Sequence, residues 1–409
     1  MKNQIRSRAA GASLSILFSL SLVHCLNDLL QSVVSASYPV IRDTMTLSFA
    51  QIGLLSLIYQ VCASVFQPVF GVFFDKHPST RYLTVGNLST MAGLLILGFS
   101  TSMWMLFVAV AFIGLGSSII HPEASRLTHF ASEGRHGLAQ SIFQVGGYFG
   151  GSIGPLLAAA VVAPFGQRYI AVFAVIAFLA LFIRGSLVRW QRHGIRKMRR
   201  PAAKAPVVHR VRLSKKKIYF SLALLLVLIF SKYVYMASLS SFYTFYLIEK
   251  FGVTTARSQI FLFAFLFAGA VGTLLGGPIG DRVGRKWVIW VSILGTAPFS
   301  LLMPYVELGW TCVMSILIGL ILSSAFSAIL VYAQELLPTK VGLISGLFFG
   351  LAFGSAGIAA AVLGDMADTR GIEYVYQVCA FMPLLGIVAL LLPNVKMPRK
   401  TAETGLIPE

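Results

Sequence analysis

The chain has 409 residues, 57% of them hydrophobic and 11% charged, with a mean hydropathy of +0.81. Soluble proteins carry about 25% charged residues, so this composition excludes a fold with a water-facing surface and requires a polytopic helical membrane protein. The net charge of +19 would fit a nucleic-acid binder, but 27 of the 33 Lys and Arg fall in segments expected on one side of the membrane, five on the other, and Lys232 inside an apolar run. That asymmetry follows the positive-inside rule and points to anionic lipid headgroups, not nucleic acid.

Apolar runs of about 20 residues predict helices over 14–41, 49–74, 82–100, 103–123, 137–163, 168–188, 218–247, 257–280, 287–305, 310–335, 342–364 and 373–393. Twelve spans place both termini in the cytoplasm of a bacterium, in a multi-pass inner-membrane protein. The expected units are a tail (1–13), a six-helix bundle (14–188), a basic linker (189–217), a second six-helix bundle (218–393) and a tail (394–409). A signal peptide ending near Ser35-Ala36-Ser37 is the alternative for the first run; Asn27 and Asp28 interrupt the apolar region it would need. Cys25, Cys62, Cys312 and Cys379 lie in apolar runs without ligand spacing and read as small core residues. The linker is expected to be a solvated tether lying against lipid.

The first run carries His24, Asp28, Gln31 and Ser35 at i, i+4, i+7 and i+11, one polar stripe on an apolar helix, with Asn27 beside it. An ionisable group in mid-bilayer costs about 2.5–3.5 kcal/mol or more, which makes Asp28 and Lys232 functional candidates. Tyr235, Tyr243 and Tyr246 follow Lys232 at i+3, i+11 and i+14. Gln60 and Gln67 share a face of the second run, and Gln140, Gln144 and Tyr148 a face of the fifth. Substrate contact is expected from Lys232, His24, Asn27, Gln31, Gln60, Gln144 and the three tyrosines, and proton coupling from Asp28, His121 and Glu123. The competing readings are a structural Asp28–Lys232 ion pair and amides that only join helices. His121-Pro122-Glu123, with Arg126, ends the fourth run and Gln334-Glu335 the tenth; these cytoplasmic-side groups, Arg126 and Glu335 included, could equally be wet helix ends.

A short turn occurs twice, about 206 residues apart, between apolar runs. Gly71, Asp75, Lys76 and Arg81 mark the first copy; Gly277, Asp281, Arg282, Gly284, Arg285 and Lys286 mark the second. Gly137-Leu138 and Gly342-Leu343 recur at a similar offset. Such duplication is the signature of a transporter built from two halves.

The duplicated turn resembles the loop 2–3 and loop 8–9 motif of the major facilitator superfamily, with Pro78 where the first copy usually has Gly. Gly150-x-x-x-Gly154-Pro155 resembles the superfamily's antiporter motif, with Ala158 and Ala159 where two glycines usually follow. Val110 stands where many drug exporters of the superfamily have Arg, so that Arg's proton mechanism does not transfer. Leu26–Ser32, His121–Arg126, Gly134–Gln144, Ser231–Ala237 and Val331–Pro338 are similar to the bacterial fosmidomycin resistance transporters, over about residues 14–393. This resemblance implies the two-bundle fold and export of a small anionic phosphonate drug by alternating access, with proton influx as energy source and no cofactor. A monomer is expected. It also implies that Asp75 meets the helix starting at Gly342, and Asp281 the one starting at Gly137, to gate the outward-open state. The rival reading is a proton-coupled uptake symporter for an organic anion. An enzyme would need a nucleophile, metal set or phosphate loop beside His121 or Glu123, and no catalytic or metal residue is assigned.

Overall fold

The computed structural model of the chain is all-helical and describes residues 2–394 except 48, 78, 80, 133, 184–186, 188–212 and 254. Pro78, linker residues 189–212 and the tail beyond 394 lie outside the described residues. The first helix already runs at Lys2 and continues to Ala36, so the expected boundary at residue 14 is not a break. It stops at Ser37, whose hydroxyl donates to Val33 O (2.7 Å) ahead of Tyr38-Pro39, where proline disfavours a continuing helix. A short helix, Tyr38–Met45, follows.

Helices Phe49–Ser64 and Phe66–Lys76 meet at Val65 and lead through the first duplicated turn into Arg81–Gly98. Ser102 caps the next helix, Met103–Ala131, by accepting from Met105 N (3.4 Å). That helix passes through Pro122 without ending. His136–Leu157 and the apolar stretch Gln167–Ile183 come next. The chain then forms Lys215–Phe251, longer at both ends than the sequence predicts, and closes it with left-handed Gly252 (φ 64°). Thr255–Val283, Arg285–Leu294, Ala297–Leu302, Leu308–Ser323, Ala325–Leu336, Val341–Arg370 and Ile372–Cys379 complete the main helices. Among the described residues, nine helical stretches are long and apolar enough to cross a membrane.

One core cluster is confined to residues between Leu29 and Ala177, the other runs from Ile16 to Leu392 and joins early helices to late ones. Two pairs of helices at the duplicated turns approach closely. A Cβ at Gly71 would overlap the Gly342 carbonyl, and one at Gly277 would overlap that of Gly137. Phe66–Lys76 thus lies against Val341–Arg370, and Thr255–Val283 against His136–Leu157, with small residues letting the backbones touch.

Candidate functional site

Helix His136–Leu157 positions the central polar cluster. Its Gly146, Gly150 and Gly154 leave no room for a Cβ against Ser21, Cys25 and Ser32 of the first helix. Ser21 Oγ donates to Ile142 O (2.7 Å) and Ser32 Oγ to Gly151 O (2.8 Å). The glycines of the antiporter-like motif therefore act here by close packing, and that packing presses His24 and Asp28 against Phe143 and Gly147.

Asp28, 21% exposed, is held by two imidazoles. His24 Nε2 lies 3.2 Å from Oδ2, and His121 Nε2 lies 3.1 Å from Oδ1. Asn27 Nδ2 donates to Oδ1 (3.1 Å). The three donor atoms of His24, Asp28 and His121 lie within 4.8 Å of one another, close enough to share a proton or a small cation. Rings enclose them. Phe143 stacks on His24 at 4.1 Å, and Phe349, from Val341–Arg370, packs against His121 at 5.3 Å and His24 at 6.2 Å. Gln31 accepts from Tyr59 OH while its Nε2 has no partner among the described residues.

Lys232 stands apart from this cluster. It is 1% exposed, and its Nζ has no hydrogen-bond partner among the described residues. The ammonium lies over the rings of Tyr233 (5.1 Å) and Phe326 (5.4 Å). The competing reading of an Asp28–Lys232 ion pair is not met, because the carboxylate oxygens of Asp28 face the two histidines and Asn27 instead. Phe326 in turn packs on Phe349 at 5.1 Å, so the ring facing the ammonium adjoins the ring facing the histidines.

The structure also corrects the grouping of the tyrosines with Lys232. They share its helix face, but at 1.5 Å per residue Tyr243 and Tyr246 stand about 16 and 21 Å farther along the axis. Tyr243 OH donates to Ser315 Oγ (2.9 Å), Tyr246 stacks on Tyr376 at 4.0 Å, and Tyr235 is buried in the same core. Tyr233, which the i+3 pattern missed because i+1 residues rarely share a face, is the ring beside the ammonium. Gln60 faces Gly357 of Val341–Arg370, and Gln144 is buried with its Oε1 unpartnered among the described residues. Gln67 donates to Ala63 O (2.6 Å) where that same helix approaches, which is the packing role.

Glu123 is not a wet helix end. The helix extends eight residues beyond it, and Glu123 is 0% exposed. It accepts from Arg126 Nε and Nη2, both at 2.8 Å. Glu335 is buried as well and pairs with Arg285 (2.8 Å). Gln334 accepts from His129 Nδ1 (3.0 Å) and donates to Ser345 Oγ (2.9 Å).

The duplicated turns meet their expected partners. Asp75 accepts from Gly342 N (2.8 Å) and Leu343 N (2.9 Å), and Asp281 from Gly137 N and Leu138 N, both at 3.1 Å. Each carboxylate thus caps a helix N-terminus from the opposite part of the chain, where unpaired N–H groups and the helix dipole favour an anion. Arg285 donates to Asp281 (2.9 Å), and Lys286 Nζ to Leu390 O (2.7 Å). Gly284 turns the chain at φ 107°, while Lys76, Arg81 and Arg282 are exposed.

Comparison with known proteins agrees with this architecture. The family model described as Major Facilitator Superfamily matches residues 20–261 and 225–406. The chain is 51% identical to the fosmidomycin resistance protein of Escherichia coli (strain K12), over 94% of each chain. It is 38% identical to an uncharacterised MFS-type transporter of Bacillus subtilis (strain 168), over 93% of each. Among solved structures, the transporter FucP in its outward conformation superposes with a TM-score of 0.72 at 16% identity, covering 94% of this chain and 98% of that one. Relatives and fold alike are those of transporters, not enzymes, and with its several apolar helices this is a multi-pass protein of the bacterial inner membrane. A family model matching nearly the whole chain, and a relative this similar from end to end, place the chain in the Major Facilitator Superfamily, in the branch that includes the fosmidomycin resistance protein.

Proposed function

We propose that the chain is a proton-driven antiporter that exports a small anionic drug of the fosmidomycin type by alternating access. The observation that carries this reading is Lys232, a buried cation with aromatic walls and no counter-ion among the described residues. An unpaired charge inside a membrane protein is costly, and a phosphonate would supply the missing partner through charge-assisted hydrogen bonds. Identity to the Escherichia coli relative names the drug class. The cluster of Asp28, His24 and His121 is the proton-carrying site. Gln31 and Gln144, with unpartnered amide atoms, are further candidate substrate contacts, and Asn27, with an unpartnered Oδ1, another.

In this reading twelve helices form two six-helix halves joined by the basic linker, with both termini cytoplasmic. The two carboxylate caps, with the Arg285–Glu335 and His129–Gln334 contacts, hold the cytoplasmic end shut. The protein acts as a monomer in a bilayer with anionic headgroups, takes no nucleic acid, and needs only the proton gradient. Its test is proton flux in inverted membrane vesicles given fosmidomycin. Export predicts alkalinisation of an acidic vesicle lumen as drug enters in exchange for protons. Acidification of the lumen with drug entry would establish the rival symport. No flux, together with no change in drug susceptibility of a deletion strain carrying the gene, would remove fosmidomycin as substrate.

A further inference from the structure

The two imidazoles at Asp28 are not equivalent, because their other nitrogens meet different partners. His24 Nδ1 lies 2.8 Å from the main-chain carbonyl oxygen of Phe143. A carbonyl oxygen only accepts, so this nitrogen carries a hydrogen and donates it. A neutral His24 therefore turns the lone pair of Nε2 toward Asp28 Oδ2 at 3.2 Å, and Nε2 makes no aligned hydrogen bond. His121 has a choice that His24 lacks. Its Nδ1 lies 3.1 Å from Ser117 Oγ as well as 3.0 Å from Ser117 O. A hydroxyl can donate, so a neutral His121 accepts from Ser117 and gives its own Nε2–H to Asp28 Oδ1 in an aligned bond of 3.1 Å.

An ionised Asp28 then has a donor on one side and a lone pair on the other. The repulsion at the His24 side is relieved when a proton enters that contact. Resting on the proton-coupled reading of this site, we propose that His24 is its proton-binding base, with Asp28 as counter-ion, and that Ser117 keeps His121 as the fixed donor that positions the carboxylate. The step is addition of a proton to Nε2: one N–H bond forms, no protein bond breaks, and the triad passes from one net negative charge to neutrality.

The surroundings suit such a step. Gly147 leaves the contact open, since a Cβ there would lie 2.6 Å from His24 Nε2 and 2.7 Å from Asp28 Oδ2. The titratable groups facing the site are Asp28 and Cys25 on the same helix, His121 on Met103–Ala131, Tyr59 on Phe49–Ser64 and Tyr233 on Lys215–Phe251. His136–Leu157 and Val341–Arg370 contribute the rings of Phe143 and Phe349. Phe326, which faces Lys232, packs on Phe349, which faces His24 and His121.

The deciding measurement is nitrogen NMR of the full-length protein in nanodiscs, labelled in its seven histidines, across a pH titration. His24→Asn, whose amide can still donate to Phe143 O, assigns the His24 signal. The expected result is a His24 ring protonated at Nδ1 throughout, gaining the Nε2 proton as pH falls. His121 should remain the Nε2–H tautomer over the same range and switch to Nδ1–H in Ser117→Ala. A neutral Nε2–H tautomer for His24, or uptake of the proton by His121 first, would overturn the assignment. In vesicles, His24→Asn should flatten the dependence of fosmidomycin export on the pH gradient by tenfold or more, and an unaltered gradient dependence would equally overturn it. If fosmidomycin proves not to be a substrate, native vesicles will also be silent, and the NMR result still decides.

Discussion

Asp28 and Lys232 lie at matching places in the duplicated sequence, yet their surroundings differ. One is an acid flanked by two imidazoles, the other a cation without a hydrogen-bond partner among the described residues. Removing one member of a true buried pair strands the other, and removing both restores it. Lys232→Ala combined with Asp28→Asn should therefore fail to recover proton-driven transport, because the two residues are not each other's partner. Lys232→Ala alone should weaken fosmidomycin binding at least tenfold at near-normal expression; recovery of transport in the double variant would reduce the charges to scaffolding. Glu123 and Arg126 are the pair to which the rescue rule applies, being buried and bidentate at 2.8 Å. Glu123→Gln strands the guanidinium and should cost about 3–5 kcal/mol of stability, read as a lower thermal midpoint in detergent. Glu123→Gln with Arg126→Gln should recover a large part of that loss, and a double variant no more stable than the single would show the pair is not what matters.

At the scale of whole helices, the proposed gating role of the two carboxylate caps can be tested. A carboxylate at a helix N-terminus contributes about 0.3–1 kcal/mol, and up to about 2 when partly buried. Asp75→Asn leaves the side chain's shape but removes the charge that faces Gly342 N and Leu343 N. The balance should shift away from the closed cytoplasmic end, with turnover slowed and fosmidomycin affinity within a few-fold of native. Alkylation of a cysteine placed at Ser345, where Ser125 Oγ and Gln334 Nε2 now converge, should rise in the Asp75→Asn background. Normal turnover and unchanged labelling would leave the cap without a gating role.

For the molecule as a whole, the charge asymmetry predicts that the linker is cytoplasmic. A cysteine introduced by Ala203→Cys should resist an impermeant thiol reagent added to intact cells and react after lysis. Efficient labelling from outside would invert the topology and with it the meaning of the closed end.

Composition and periodicity were enough for a helical membrane protein, and the two Gly-x-x-x-Asp turns were enough for a duplicated one, since bilayer thickness and backbone hydrogen bonding leave few other solutions. The polar stripe of the first helix was also legible, because residues four apart share a face whatever the rest of the chain does. The partners across helices were not. His24 and Asp28 are four residues apart, but His121 joins them from 93 residues away. Whether Asp28 would pair with Lys232 or with imidazole was settled by the close approach of Gly146, Gly150 and Gly154 to the first helix, which brings His24 and Asp28 against Phe143 and Gly147. The alternative of a wet helix end for Glu123 fails for a similar reason: the apolar run ends at 123, and only the packed bundle carries the helix eight residues further and buries the charge against Arg126. Periodicity reports which face of a helix is polar; the depth of a residue along its neighbour, and the group it meets there, depend on helix crossings that only tertiary packing specifies.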